Sequence, residues 1–149
     1  MIRIDHINIV VPDIERAIQF YCAIFELQRG FETTLEGEWI DRVTGISGAL
    51  ARCVFLECGG ETRLELLQYL TPSGEIIEAN AQPNTCGLRH LAFTVDDLDA
   101  LVGRLKAHNI KLVSEPVEVP FAVGNLGRKR LCYFHDPDGV LLEVAAYSK

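Results

Sequence analysis

Two stretches of the chain alternate apolar and polar residues in the same way. Ile7, Ile9 and Val11 recur at every second position, as do Leu91, Phe93 and Val95, the period of a strand that buries one face. His6 and His90 stand at the start of these runs and fall on the opposite face. Each run then changes period. Ile14, Ala17, Ile18, Tyr21 and Phe25 recur at helical spacing, and so do Leu98, Leu101, Val102 and Leu105, which predicts two amphipathic helices. Asp13 and Asp97 immediately precede them, where a carboxylate can accept from the free N–H groups of a first turn. The first helix is expected to end near 26–30 and the second near 108–109, since Gly30 and Asn109 tolerate a left-handed backbone.

The later parts of the two halves also match. Leu64-Glu65-Leu66-Leu67-Gln68-Tyr69 resembles Leu142-Glu143-Val144-Ala145-Ala146-Tyr147, each a Glu inside an apolar strand with a Tyr four residues on. His strand, helix and Glu strand recur in one order at nearly one spacing, so the chain reads as a module written twice. Between helix and Glu strand each half has room for two more strands. These are predicted at 29–35 and 51–58, around a loop with Gly45 and Gly48, and at 111–119 and 130–135. The last is followed by the turn Asp136-Pro137-Asp138-Gly139. The expected fold is therefore α+β, a single domain of two tandem βαβββ modules. Module one covers about 1–71, a Pro-, Ser-, Asn- and Gly-bearing linker about 72–87, and module two about 88–149.

Composition narrows the function. The chain has 149 residues, 48% of them hydrophobic, enough for a true core. Its net charge of −7 argues against nucleic acid, which needs clustered Lys and Arg. The one basic cluster, Arg128-Lys129-Arg130, is short. No apolar run approaches the ~20 residues a bilayer requires, and Arg3, Asp5 and His6 break the N-terminal apolar run against a signal peptide. No membrane is expected, and the cytoplasm is the expected compartment. Cys22, Cys53, Cys58, Cys86 and Cys132 form no C-x-x-C pair and read as scattered reduced thiols.

The chemistry rests on four residues. A carboxylate inside 64–67 or 141–144 is costly to desolvate without a partner. Alternation aims Leu64 and Leu66 at the helix and Glu65 the other way, and likewise sets Glu143 against Leu142 and Val144. A single strand His or Glu is usually a packed or solvated residue. Two of each at repeat-equivalent positions point instead to a metal site of His6, Glu65, His90 and Glu143. Two imidazoles and two carboxylates suit Zn, Ni, Co, Mn or Fe(II). His108 reads as an exposed residue at a helix end and His135 as a surface or substrate-edge residue. No cysteine lies in a His–Asp pattern that would favour nucleophilic catalysis.

The paired His strands, the Asp-Pro-Asp-Gly turn and the closing Leu-Leu-Glu-Val resemble the vicinal oxygen chelate superfamily, across essentially the whole chain. That group includes glyoxalase I, methylmalonyl-CoA epimerase, extradiol dioxygenases and the fosfomycin and bleomycin resistance proteins. The resemblance implies two curved mixed sheets that form a cup around one divalent ion, and a homodimer that takes a small-molecule substrate. It carries the ligand positions over as His6, Glu65, His90 and Glu143. The fourth protein ligand, Glu65, is closer to glyoxalase I and the epimerases than to the two-His, one-Glu dioxygenases. The activity so implied is that of a metal-dependent lyase or isomerase that removes a proton beside a carbonyl, with Glu143 as principal base and Glu65 as its partner. Trp39, Phe121 and Tyr133 are candidates to line the cup mouth. The rival readings are an Fe(II) extradiol-type dioxygenase, a thiol transferase acting on fosfomycin, and a resistance protein that binds a small molecule without turnover. One departure from the epimerases is plain: Ala49-Leu50-Ala51-Arg52-Cys53 lacks the acidic residue they carry on that strand.

Overall fold

The computed structural model describes residues 1–76 and 82–148, and the chain divides into two compact units, Met1–Ile77 and Glu78–Lys149. The first unit runs β1 (His6–Val10), α1 (Ile14–Phe25), β2 (Gln28–Glu36), α2 (Glu38–Thr44), β3 (Leu50–Glu57) and β4 (Arg63–Thr71). Its four strands lie in the order β1-β4-β3-β2. β1 is parallel to β4, and the other pairs are antiparallel. A parallel neighbour needs a crossover connection, and the chain between β1 and β4 supplies one that includes α1. The helix begins where Asp13 accepts from the Arg16 N–H at 3.1 Å. It ends at Glu26, whose left-handed φ of 58° aims its N–H back at the Cys22 carbonyl. Ile14, Ala17, Tyr21 and Ile24 on α1 and Val54, Leu56, Leu64 and Leu66 on the sheet are all essentially shut off from solvent. Gln68 fastens β4 to the start of the helix: its amide donates to Pro12 O at 2.8 Å and its Oε1 accepts from Ile14 N at 3.3 Å.

Two expectations for this half need correction. Gly30 does not cap α1. It lies within β2 where the register with β3 shifts between Arg29 and Glu32, and a Cβ there would meet Glu57 Oε1 at 2.8 Å. The glycine marks an irregular strand pairing rather than a left-handed turn. The Gly-bearing loop between β2 and β3 also contains α2, a short helix that buries Ile40. Seven residues with one buried position leave little periodic signal. Asp41 holds the exit of α2, accepting from Gly48 N and Ala49 N, each at 2.8 Å.

The second unit runs β5 (His90–Thr94), α3 (Leu98–Ala107), β6 (Val117–Ala122), β7 (Arg128–His135) and β8 (Leu141–Ser148). Its order, β5-β8-β7-β6, repeats that of the first, again with β5 parallel to β8 and the rest antiparallel. Asp97 accepts from Ala100 N at 2.8 Å, and Asn109 takes a φ of 58° just past the helix, both as expected. Leu105, Phe134, Leu142 and Val144 are fully buried. The turn before β8 is organised by buried Asp136, whose Oδ1 accepts from Asp138 N at 2.9 Å and Val140 N at 2.8 Å.

The strand expected at 111–119 begins later. Only Leu112 makes an isolated bridge, to Phe134, before β6 starts at Val117. Pro116, which has no N–H for a ladder, stands just before that start. Of the expected linker, residues 77–81 lie outside the described residues. Both units are thus α+β, each a four-stranded mixed sheet in the βαβββ order, with α2 added between β2 and β3 of the first. Among the described residues no helix is long and apolar enough to cross a membrane.

Candidate functional site

In the first unit, the face of the sheet turned away from α1 carries His6 and Glu65. The register sets Glu65 opposite Asn8, and the Asn8 amide donates to Glu65 Oε2 at 2.9 Å. The Cys53 thiol on β3 donates to Oε1 at 3.4 Å. Burial, then the Glu65 carboxylate, pushes that thiol up to about 12, so at neutral pH it acts as a donor and not as a nucleophile. His6 Nε2 lies 3.3 Å from Glu65 Oε2.

The other nitrogen of His6 is committed. Asp5 Oδ2 lies 2.6 Å from Nδ1, and Arg63 bonds both oxygens of Asp5 at 3.0 and 2.9 Å. The His6 hydrogen bond and the Arg63 guanidinium hold the Asp5 carboxyl below its ordinary range. An ionised Asp5 can only accept, so Nδ1 donates in this bond, and Nε2 is the nitrogen turned toward Glu65. Two acceptors 3.3 Å apart repel unless a proton or a cation lies between them. Phe55 supports this arrangement: His6 meets its ring edge-on at 5.5 Å, and Arg63 lies 4.4 Å over it.

The second unit repeats the pair with different neighbours. His90 Nε2 lies 3.4 Å from Oε2 of Glu143, whose side chain is only 5% exposed. Ala92 occupies the position of Asn8. Tyr133, opposite Glu143 in the register, occupies that of Phe55, its ring 5.2 Å from that of His90. Burial and then the Glu143 charge raise its phenol. Lys129 donates to Glu143 Oε1 at 2.5 Å. Burial pulls the Lys129 ammonium down, but its hydrogen bond to Glu143 and the nearby charges outweigh this and leave it above its ordinary value.

Lys129 was hidden in the sequence within Arg128-Lys129-Arg130. The structure splits that cluster: Arg130 pairs with Asp99 at 3.0 Å and Arg128 with Glu118 at 2.5 Å. Lys129 alone of the three pairs with a buried Glu, Glu143. Strand alternation could have separated it from its neighbours, and the repeat could have placed it beside Glu143. Cys53 and Asn8 reach Glu65 from the neighbouring strands β3 and β1.

The donors fit a divalent ion. Atoms bound at about 2.1 Å around one centre stand roughly 3.0–3.4 Å apart, the separation both His–Glu pairs show. Each unit supplies two of the four expected donors. Among the described residues no group of three or more His, Cys, Asp and Glu side chains is arranged to hold an ion. Of the other expected residues, Tyr133 borders the His90–Glu143 pair, whereas Trp39 on α2 and Phe121 on β6 are exposed. His108 is exposed at the end of α3, its Nδ1 2.9 Å from Arg104 O. His135, expected at the surface or the substrate edge, is half-buried beside the Asp136 turn, and its Nε2 is enclosed without a hydrogen-bond partner. The cysteines are free thiols.

Comparison with known proteins agrees with this architecture. The family model described as the Glyoxalase/Bleomycin resistance protein/Dioxygenase superfamily matches residues 3–144. The uncharacterized protein YaeR of Escherichia coli (strain K12) is 35% identical, over 95% of this chain and 94% of its own. Human mitochondrial methylmalonyl-CoA epimerase is 31% identical, over 95% of this chain and 72% of its own. The crystal structure of a glyoxalase family protein from Bacillus cereus superposes with a TM-score of 0.86 at 32% identity, covering 100% of this chain and 96% of that one. The chain belongs to the glyoxalase, bleomycin resistance protein and dioxygenase superfamily, the vicinal oxygen chelate group. Named relatives within it include epimerases and dioxygenases.

Proposed function

We propose that His6, Glu65, His90 and Glu143 hold one divalent ion per chain and that the protein is a lyase or isomerase of the glyoxalase or epimerase type. The observation that carries this reading is His6 Nε2 and Glu65 Oε2, 3.3 Å apart with Nδ1 already bonded to Asp5. That pair is a half-site waiting for a cation, and the second unit repeats its spacing. When bound, the ion supplies Lewis acidity to a substrate carbonyl and stabilises charge developing on its oxygen.

The chain's own residues do the rest. Glu143 and Glu65, one from each unit, are the carboxylates able to accept a proton from the carbon next to the carbonyl and return it. Asn8 and Cys53 hold Glu65 in place. The 31% identity to an epimerase over nearly the whole chain supports the same chemistry. The reading extends to a homodimer acting on a small molecule.

The test is proton exchange. Protein loaded in turn with Co2+, Ni2+, Mn2+ and Zn2+ is incubated in D2O with methylmalonyl-CoA and, separately, with the glutathione hemithioacetal of methylglyoxal. Metal-dependent loss of the α-proton signal is the expected result. Metal binding without exchange on either compound would count against this activity, and oxygen uptake with catechols would favour the dioxygenase reading.

A further inference from the structure

The two His–Glu pairs are alike in spacing but not in charge. Around Glu65 the donors are neutral, the Asn8 amide and the Cys53 thiol. The position in the first unit that corresponds to Lys129 is Ala51: Lys129 pairs with Tyr147 and Ala51 with Tyr69, each four residues beyond its strand Glu. The ammonium is therefore a feature of the second unit alone among these equivalent positions.

Its attachment leaves capacity for a ligand. Lys129 bonds Glu143 through Oε1, while the other oxygen, Oε2, is the one nearest His90 Nε2. An ion taken up by His90 and Oε2 would leave the lysine on Oε1. An ammonium has three N–H donors; Glu143 Oε1 takes one and the Tyr147 hydroxyl another, which leaves one for a ligand. The side chain is 18% exposed, so the head is sheltered yet open on the sheet face that carries His90 and Tyr133. The ring of Tyr147 lies 5.8 Å beneath it. A fixed positive charge beside a second cation is self-repelling, and an anion bound to both relieves that repulsion.

We infer that Lys129 is a specificity-determining residue that binds an anionic oxygen of the substrate, so that the site takes small carboxylates whose charge lies next to the reacting carbonyl. This rests on the metal reading above. A neutral substrate would leave the remaining N–H of Lys129 without a charged partner. An anionic one gains a charge-assisted hydrogen bond worth about ten- to a hundredfold in affinity.

The experiment uses oxalate, a small dianion with two vicinal oxygens, titrated calorimetrically into Co2+-loaded full-length protein. Wild type, Lys129→Met and Lys129→Arg are compared after each is shown to melt as wild type does. Lys129→Met is expected to take up Co2+ with unchanged stoichiometry and to bind oxalate at least about tenfold more weakly. Lys129→Arg, which keeps the charge, should recover most of the loss. Equal oxalate affinity in Lys129→Met would overturn the inference while leaving the metal reading intact. Loss of Co2+ from that variant would also overturn it, by making the lysine a support for the ion. No Co2+ uptake by wild type would remove the metal reading and this inference together.

Discussion

His6 and Glu65 meet on a diagonal: the parallel register sets Glu65 opposite Asn8 and His6 opposite Arg63, yet His6 Nε2 lies 3.3 Å from Glu65 Oε2. His90 and Glu143 repeat the relation, with Ala92 opposite the Glu and 3.4 Å between the facing atoms. The recurrence follows from backbone topology, because each unit places its first strand parallel to its last. A one-residue slip would turn the His or the Glu into the core, so the spacing of the pair is held by the same register that buries Leu64, Leu66, Leu142 and Val144.

Asp5 gives His6 an advantage His90 lacks, since Arg89 stands at the equivalent position. A carboxylate on the far nitrogen fixes the ring and raises its basicity toward an ion. Asp5→Asn is expected to weaken Co2+ binding by about 10–100-fold with little change in melting temperature. Calorimetric titration of the variant beside wild type measures this directly, and unchanged affinity would remove Asp5 from the site.

Glu143→Gln and Glu65→Gln keep shape but lose the carboxylate proposed above as the proton acceptor. Each should reduce α-proton exchange by about 10²–10⁴-fold on whichever substrate wild type turns over, while circular dichroism stays that of wild type. Exchange at the wild-type rate in either variant would dismiss that residue as a base.

Phe134 is completely buried on β7, between the helix-facing residues of the second unit. Phe134→Ala should destabilise the protein by about 3–5 kcal/mol, read from urea unfolding followed by circular dichroism. A loss under about 1 kcal/mol would mean that the site collapses around the cavity.

The acid side of the stability curve has a contribution from Glu15, whose carboxyl is held below its ordinary value of 4.5 by hydrogen bonds from Arg52 and Arg29. A carboxyl depressed in the folded state contributes stability that is present above 4.5 and lost as pH falls through the lower folded value. Glu15→Gln should therefore lower stability modestly at pH 6 and flatten its decline below about pH 4.5. Parallel curves for variant and wild type would show that the pair contributes nothing.

The repeat made much of this legible. Strand alternation around His6 and His90, helical spacing after Asp13 and Asp97, and the strand glutamates were strong local signals, and the structure has all of them within the expected elements. What escaped was set by pairing between strands. Gly30 looked like a helix stop, but it lies inside β2, where the register with β3 shifts. α2 buries a single residue and so has almost no period to read. Lys129 looked like one of three surface charges until the register set its strand beside Glu143. Cys53 and Asn8 belong to the Glu65 site only through neighbouring strands, a relation no local pattern encodes.

The central claim is that one ion is held by donors from both units. The most direct test is Co2+ stoichiometry and affinity, measured by calorimetry and elemental analysis, for wild type, His6→Ala and His90→Ala. About one ion per chain in wild type, with affinity sharply reduced in both variants, is the predicted result. Absence of binding in wild type, or binding untouched by either substitution, would contradict it.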